Sequence, residues 1–595
     1  MCGFIGILKN KNNFTYKKII NNSLKYLYHR GPDSKGAYED NNIALGFQRL
    51  SIQDISKKGD QPMISQNQNY VIVYNGEIYN FLELKKKLIA KNYLFKSNTD
   101  TEVLLNLYIE YGPKCLNFLE GMFAFCIYNK KQKSIFLARD QFGTKPLYYT
   151  RTKSNNLIFG SEFKAFIPFI KTENLSWSLN EKKLNEQISF RFLAGKETLI
   201  KNIFKLMPGE FIFAQKSKFY KKKYFSISSF EKTQNLKFLT KIDVIDQTER
   251  YLYKTIQKNL ISDVPTGIAL SGGLDSSLIT AFSSKFIQKI NTFSINFDQK
   301  KNKNSIIDEN YYIKYIKSKY DTFHHSAVLT EKFYKNNFFK CVWHNDEPIN
   351  FPHSPGIFLL SKLAKENNIK VLLGGEGADE IFGGYDDFIS NKLNLYFYRI
   401  SNFNKKNRLF NIYDYDLKER SNYIINSYGN MNIKKIKYSL NTYLQSIQNR
   451  LDKMSMANGV EFRVPFIDKN LLKLSISNQK YGIVQNNKIS KYLLKLIGEK
   501  YFKKKHIYRQ KVGFSTPINF WMRNKKGFGE ILDILIDSKT TNREIYNQKN
   551  LKKLIIDFYK YPNESYKNSN AGKIWNILNL ELWIRSFIES KSELK

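Results

Sequence analysis

Cysteine at position 2 stands directly behind the initiator methionine, so loss of Met1 leaves a thiol and a free α-amine on one residue. That amine, with an unperturbed pKa of about 7.7–8.0, can act as the base for its own nucleophile. Two donors suited to an oxyanion lie in Tyr70-Val-Ile-Val-Tyr-Asn75-Gly76-Glu77-Ile-Tyr79, read as a strand running into a loop. They are the Asn75 amide and the Gly76 backbone N–H. Asn-Gly reads equally as a hairpin turn. Arg49, in Gln48-Arg49-Leu50-Ser51, can fork onto a carboxylate, and Asp100 can hold an ammonium. Singly, they read as a surface ion pair and a helix cap.

A second constellation is Ile268-Ala-Leu270-Ser271-Gly272-Gly273-Leu274-Asp275-Ser276-Ser277, between a short apolar strand and a helix carrying Leu278, Ile279, Phe282 and Phe286. Small residues let backbone N–H groups approach an anion at a helix N-terminus. Ser271 and Ser276 add hydroxyl donors, and Asp275 can reach a magnesium ion on phosphates. The run lacks a Gly-Lys-Ser/Thr ending, which excludes a Walker A loop. A third run, Val371-Leu-Leu373-Gly374-Gly375-Glu376-Gly377-Ala378-Asp379-Glu380, sets three carboxylates in a Gly-rich loop after a buried strand. Active sites of open α/β sheets lie there; a solvated acidic turn is the alternative.

Positioning these residues requires two kinds of framework. Up to about residue 228 the pattern is short strands and helices. Cys2-Leu8, Tyr70-Tyr74 and Gly121-Tyr128 have strand character, and Ser134-Ala138 closes a hairpin after Asn129-Lys133. Thr101 to Tyr111 has helical spacing behind the capping residues Asn98-Thr99-Asp100. Residues 229–240 are polar and unperiodic, a linker. Beyond them Gly267-Leu270 and Lys370-Leu373 alternate with helical patterns, which predicts a parallel α/β domain. Residues 390 to about 445 read as a helical insertion.

Cys2-Gly3, His29-Arg30-Gly31-Pro32-Asp33, Arg49-Leu50-Ser51, Asn75-Gly76-Glu77-Ile78-Tyr79, Thr99-Asp100-Thr101-Glu102, Arg139-Asp140 with Gly143, and Ser161-Glu162-Phe163-Lys164 together resemble class II glutamine amidotransferases. Within that class they resemble the glutaminase domain of glutamine-hydrolysing asparagine synthetases. The resemblance implies Cys2 as nucleophile, Asn75 and Gly76 as oxyanion hole, and Arg49, Asn75, Glu77 and Asp100 as glutamine-binding residues. The Ser271–Ser277 run resembles the pyrophosphate loop of ATP pyrophosphatases, which transfer AMP and release pyrophosphate. It implies ATP contacts at Leu270, Ser271, Gly272, Gly273, Asp275, Ser276, Ile295, Gly374 and Gly375, and Mg²⁺ at Asp275 and Asp379. It also implies Glu376 as catalytic base and Lys491 as the cation at the adenylation centre. Asp346-Glu347-Pro348, Asp452-Lys453-Met454-Ser455-Met456 and Glu461-Phe-Arg463-Val-Pro465-Phe466 extend the resemblance over most of residues 1–520.

The implied fold is an α+β N-terminal nucleophile glutaminase domain of stacked antiparallel sheets with helices (2–228), the linker (229–240), and an α/β parallel-sheet ATP pyrophosphatase-like synthetase domain (241–595). The implied reaction is glutamine- and ATP-dependent amidation of a carboxylate, with channelled ammonia and an acyl-adenylate. Aspartate is the expected acceptor. Two departures loosen that choice: Pro348–Gly356 lacks an arginine that helps hold aspartate in relatives, and Gly374 replaces a common serine. A sugar carboxylate of surface-polysaccharide synthesis is the alternative. A β-lactam-forming synthetase would carry a dead glutaminase site, against which Cys2 and Asn75-Gly76 argue.

Composition agrees with a globular enzyme of 595 residues, 42% hydrophobic and 25% charged. No run approaches the roughly 20 apolar residues that span a bilayer, and the first ten residues lack a secretory signal pattern. Four dispersed cysteines form neither a disulfide framework nor a zinc pattern. A cytoplasmic enzyme of small-molecule substrates is expected, with no membrane association and a homodimer as the assembly kept in view. The net charge of +42 is spread along the chain beside Asn, Ile and Tyr, and reads as background bias. An RNA-modifying adenylating enzyme is the reading it would otherwise favour; no specific nucleic acid is expected.

Overall fold

Strand β1 (Gly3–Leu8) explains the layering of the N-terminal half. Its side chains alternate, as a strand's must: Phe4 and Leu8 enter a core with Leu45, Phe47, Val71 and Val73. Ile5 and Ile7 pack outward with Ile20 and Leu24 of the helix Lys17–Leu27. In the computed structural model, residues 2–10, 14–216, 218–231, 240–297, 309–389, 409, 431–478, 489–509, 516–561 and 570–589 are described.

Two six-stranded antiparallel sheets stack face to face. The first runs β10 (Phe204–Lys205), β8 (Tyr148–Arg151), β9 (Leu157–Gly160), β1, β3 (Ile43–Arg49), β2 (Ser34–Glu39). The second runs β12 (Lys218–Lys223), β11 (Glu210–Gln215), β7 (Ser134–Arg139), β6 (Gly121–Asn129), β5 (Tyr70–Ile78), β4 (Met63–Ile64). Helices Phe81–Ile89 and Asp100–Tyr111 cover the outer face of the second through Leu84, Val103 and Leu104 against Ile72 and Tyr74. The 129–133 hairpin stands, with Asn129 paired to Ser134.

The loop expected at Asn75-Gly76 does not form. β5 continues through both residues to Ile78, pairing Asn75 with Ala124 and Gly76 with Phe123. Gly76 favours this register because a Cβ there would strike the Met122 carbonyl oxygen and the Tyr74 ring. The helix expected over Thr101 to Tyr111 starts at Asp100, capped by Thr99, whose hydroxyl accepts the Glu102 N–H.

The C-terminal half carries a five-stranded, wholly parallel sheet in the order β15 (Phe323–Leu329), β14 (Asn291–Phe297), β13 (Thr266–Ala269), β16 (Val371–Leu373), β17 (Glu461–Arg463). The chain passes outward from β13 to β15, then returns to β13's other side for β16. The order therefore reverses between β13 and β16, and their carboxyl ends open a crevice there. Of the expected linker, Ser228–Glu231 is one helical turn, 232–239 lie outside the described residues, and Thr240 caps the helix Lys241–Asn259 with a capping box. Of the expected insertion, 390–408 and 410–430 lie outside the described residues; Met431–Asn441 and Tyr443–Met456 are helical.

The two halves meet through apolar packing, where the Phe163 and Phe587 rings lie 5.6 Å apart, and through buried charge. Arg30 binds Glu162 at 2.8 Å and Asp452 at 2.7 Å. Lys453 binds Asp346 at 2.8 Å and Glu162 at 3.4 Å, and Lys164 binds Asp346 at 2.7 Å. All these side chains are at most 2% exposed. Motifs at 29–33, 161–164, 346–348 and 452–456 thus converge on one buried interface. A charge taken from water needs a close partner, and here each has at least one.

Candidate functional site

Cys2 precedes β1, and its backbone N–H donates to Asn75 Oδ1 on β5 at 3.0 Å. That bond leaves Asn75 Nδ2 buried and without an acceptor among the described residues. The carbonyl of Cys2 accepts from Arg30 Nε at 3.0 Å, so the His29–Asp33 segment fixes the Cys2 backbone. Burial pushes the Cys2 thiol up, and nearby Arg49 opposes it. Cys2, Arg49, Gly76, Glu77 and Asp100 line one small pocket of about 40 Å³; Asn75 stands behind it, tied to Cys2.

Most polar groups of this pocket are bonded within the protein. Arg49 Nη1 donates to Asp60 at 2.9 Å and to the Ser56 carbonyl at 2.7 Å. Asp100 accepts the Tyr74 hydroxyl at 2.6 Å and the Ile78 N–H at 2.9 Å. Burial pushes the Asp100 carboxyl up to about 6, with those two donors working against it. Glu77 accepts from Gln53 Nε2 and, at 2.9 Å, from Arg463 Nη2 of the other half.

The second centre is a cavity of about 630 Å³ in the crevice between β13 and β16. That volume suits a nucleotide and a small co-substrate. Leu270, Ser271, Gly273, Asp275, Ser276, Ile295, Gly375, Glu376, Asp379 and Lys491 line it. Gly272 and Gly374 do not. Gly272 backs onto Tyr312, and Gly374 lies beneath the Phe462 ring and Glu376 Oε2, where a Cβ would collide with both. The helix Leu274–Ser283 points its N-terminus into the cavity behind Gly273.

Lys491 ties the two loops together. Its Nζ lies 2.5 Å from Asp275 Oδ2 and 2.7 Å from Asp379 Oδ1. Burial opposes the charge, yet the two carboxylates outweigh it and hold Lys491 above the ordinary ammonium range. Gly384 makes this possible, since a Cβ there would enter Asp379 Oδ1 and Lys491 Cε. Burial, with Asp275 and Asp379 adding, pushes the Glu376 carboxyl up, and its Oε2 has no donor among the described residues.

Three further cavity residues were not singled out from sequence: His353, Arg450 and Arg509. Arg450 is 6% exposed; its Nη1 donates to His353 Nε2 at 2.6 Å, and its Nε has no acceptor among the described residues. Burial, with Arg450 and Arg191 adding, keeps His353 neutral. Arg509 stacks on Tyr312 at 4.3 Å beside the 271–276 loop. A lone arginine in a chain with 95 Lys and Arg carries no sequence signal that separates it from surface charge.

Comparison with known proteins assigns the two halves separately. A glutamine amidotransferase domain model matches residues 1–225, and an asparagine synthase model matches residues 247–585. The chain is 31% identical to asparagine synthetase [glutamine-hydrolyzing] 1 of Bacillus subtilis, over 99% of this chain and 98% of that protein. It is 27% identical to asparagine synthetase B [glutamine-hydrolyzing] of Escherichia coli, covering 88% and 84%. The enzyme of Zea mays is 28% identical, covering 89% and 80%. With a thiol pocket on stacked antiparallel sheets and a nucleotide-sized crevice on a parallel sheet, the chain belongs to the asparagine synthetase family of glutamine-dependent, ATP-driven ligases.

Proposed function

We propose that this chain converts aspartate to asparagine. Cys2 Sγ attacks the side-chain amide of glutamine, and ammonia leaves as a glutamyl thioester forms, which water then hydrolyses. Asn75 Nδ2 and the Gly76 N–H hold the oxyanion, while Arg49, Glu77 and Asp100 hold the α-carboxylate and α-amine. Ammonia crosses the domain interface to the crevice. There the acceptor carboxylate attacks the α-phosphorus of ATP, releasing pyrophosphate and leaving an acyl-adenylate. Ammonia attacks the acyl carbon, Glu376 takes its proton, and the amide and AMP depart.

Ser271, Gly273, Ser276 and the helix N-terminus behind them suit the phosphates, and Lys491 suits the charge that develops as pyrophosphate leaves. Asp275 and Asp379 are two carboxylates facing one point, the donor set that Mg²⁺ takes alongside substrate phosphates. Bound there, Mg²⁺ would neutralise the leaving pyrophosphate.

The observation that carries the acceptor's identity is Arg450. It is a buried guanidinium bonded to a neutral histidine, with Nε unsatisfied among the described residues and Glu376 and Glu380 acting on it from farther off. Such a cation is costly unless a ligand's carboxylate meets it. Aspartate has one carboxylate to activate and another to present to Arg450. This supplies, from the helix Tyr443–Met456, the arginine that Pro348–Gly356 lacks. The test is incubation with glutamine, ATP and Mg²⁺, with and without aspartate, measuring pyrophosphate and asparagine together. Equimolar, aspartate-dependent release supports the reading. Glutaminase activity in folded protein without aspartate-dependent pyrophosphate overturns aspartate and points to a sugar carboxylate.

A further inference from the structure

Arg463 belongs to the synthetase half, yet its side chain ends against Glu77, which lines the glutamine pocket. The residue is fully buried. Its Nη2 donates to Glu77 Oε2 at 2.9 Å, and its Nε to Glu461 Oε1 at 2.6 Å. Its Nη1 donates to the carbonyls of Asn259 and Ile261, each at 2.7 Å. The guanidinium is therefore aimed by four acceptors, three of them from its own half. Its backbone faces the other centre: the Arg463 carbonyl accepts the Gly374 N–H at 2.9 Å, next to Gly375 and Glu376 of the nucleotide cavity.

We propose that Arg463 is a positioning residue for glutamine, completing the glutaminase pocket from the synthetase half by holding Glu77 as an oriented carboxylate. The inference rests on the reading that Glu77 receives the α-amine of glutamine. A carboxylate that must accept an ammonium has to be charged and aimed before substrate arrives. Glu77's surroundings work against its charge. Burial pushes its carboxyl up, and Asp100 and Glu461 add to that; Arg463 is the foremost opposing charge, with the N-terminal amine also opposing. Tyr74 of its own strand and Tyr79 just past the strand's end face it as well, and Cys2 and Arg49 share its pocket. Without Arg463, three acidic groups would face one another in a dry site, and the upward push on Glu77 would lose its foremost opposition and its aim.

The experiment compares wild type with Arg463→Met, Arg463→Lys, Glu77→Gln and the Glu77→Gln/Arg463→Met pair. Each is read by glutaminase kinetics across pH and by the ratio of glutamine- to ammonia-supported synthesis. Arg463→Met is expected to raise the glutamine KM at least tenfold, with less than a threefold change in kcat. The acid limb of kcat/KM should move up by at least one pH unit, and Arg463→Lys should recover part of both. In the Glu77→Gln background, Arg463→Met should add less than twofold to KM. Unchanged KM in folded Arg463→Met, or a full tenfold effect in the Glu77→Gln background, overturns the proposal. If Arg463→Met does not fold, Arg463→Lys decides by the same criteria, with a threefold rise in KM as its threshold. Labelling of Cys2 by an electrophilic diazoketone analogue of glutamine keeps the two readings apart. Unlabelled wild-type protein would sink the glutamine assignment itself, whereas labelled wild type with no Arg463 effect would sink only this inference.

Discussion

The two centres differ in how much of their charged lining is already paired. In the pocket proposed for glutamine, about 40 Å³, Arg49, Glu77 and Asp100 are already bonded to backbone or to neighbouring side chains. In the crevice, about 630 Å³, Glu376 Oε2, Arg450 Nε and Arg509 Nη1 have no partner among the described residues. The first site is organised before substrate arrives, so its binding energy goes to orienting one small molecule. The second keeps polar groups whose desolvation is offset only by ligands. A site of the first kind should fail abruptly when one group is removed; the second should fail in proportion to the charge disturbed.

Cys2→Ala gives the sharpest break. Glutamine-dependent synthesis should fall by roughly 10⁴-fold or more, as for other nucleophile deletions, while ammonia still supports product formation. Loss of both in folded protein would show that the centres are not separable. Next comes the interface between them. Lys453→Met leaves Asp346 and Glu162 short of a buried counter-charge, and unfolding measurements should find a loss of about 3–5 kcal/mol.

Gly384→Ala tests the open site. The added methyl displaces Lys491 from Asp379, and pyrophosphate release should drop about 10²–10³-fold, the cost of losing one aimed electrostatic group. Glutamine hydrolysis measured without ATP should persist, and its parallel loss would contradict the separation. Gly374→Ser asks why this chain departs from the common serine. Its Cβ meets the Phe462 ring, so overpacking should cost about 1–3 kcal/mol. Phe462→Leu should recover part of it; no recovery would remove Phe462 as the reason.

The smallest effect is in pH. Asp100, pushed up to about 6, loses its negative charge as pH falls through that value. The kcat/KM for glutamine should therefore hold above about pH 7 and fall about tenfold per unit below about 5. A flat profile from pH 7 to 4.5 would exclude Asp100 as an ammonium acceptor.

Much of this was legible because the decisive residues are rare types in short runs. Cys2 beside the start of a strand, and Ser271–Ser277 between strand and helix, carry their chemistry in adjacent positions. The parallel sheet followed from alternating strand and helix patterns, whereas the stacked antiparallel sheets followed from the family resemblance those motifs carry. Asn75-Gly76 was misplaced because Gly and Asn read as turn formers, whereas nine residues of pairing with β6 override that preference. The interface was invisible because its partners lie far apart in sequence: Arg30 meets Asp452 across 422 positions. Periodicity reports which face is apolar, not which distant charge will be its partner. Arg450 and Arg509 escaped for the simpler reason that a basic chain offers many arginines and lysines.

The charged character of the seam between the halves bears on how the chain is made. Synthesis proceeds from the N-terminus, so the first 225 residues fold before their partner exists. A seam lined with apolar residues alone would leave the ribosome as a sticky face, and this one mixes apolar and charged groups. Arg30, Glu162 and Lys164 instead stay hydrated until the second half arrives, and water is expelled only when Asp346, Asp452 and Lys453 dock. The nascent half thus waits with hydrated charges beside an apolar face, Phe163 and Trp177, that Phe587 covers only when the second half docks.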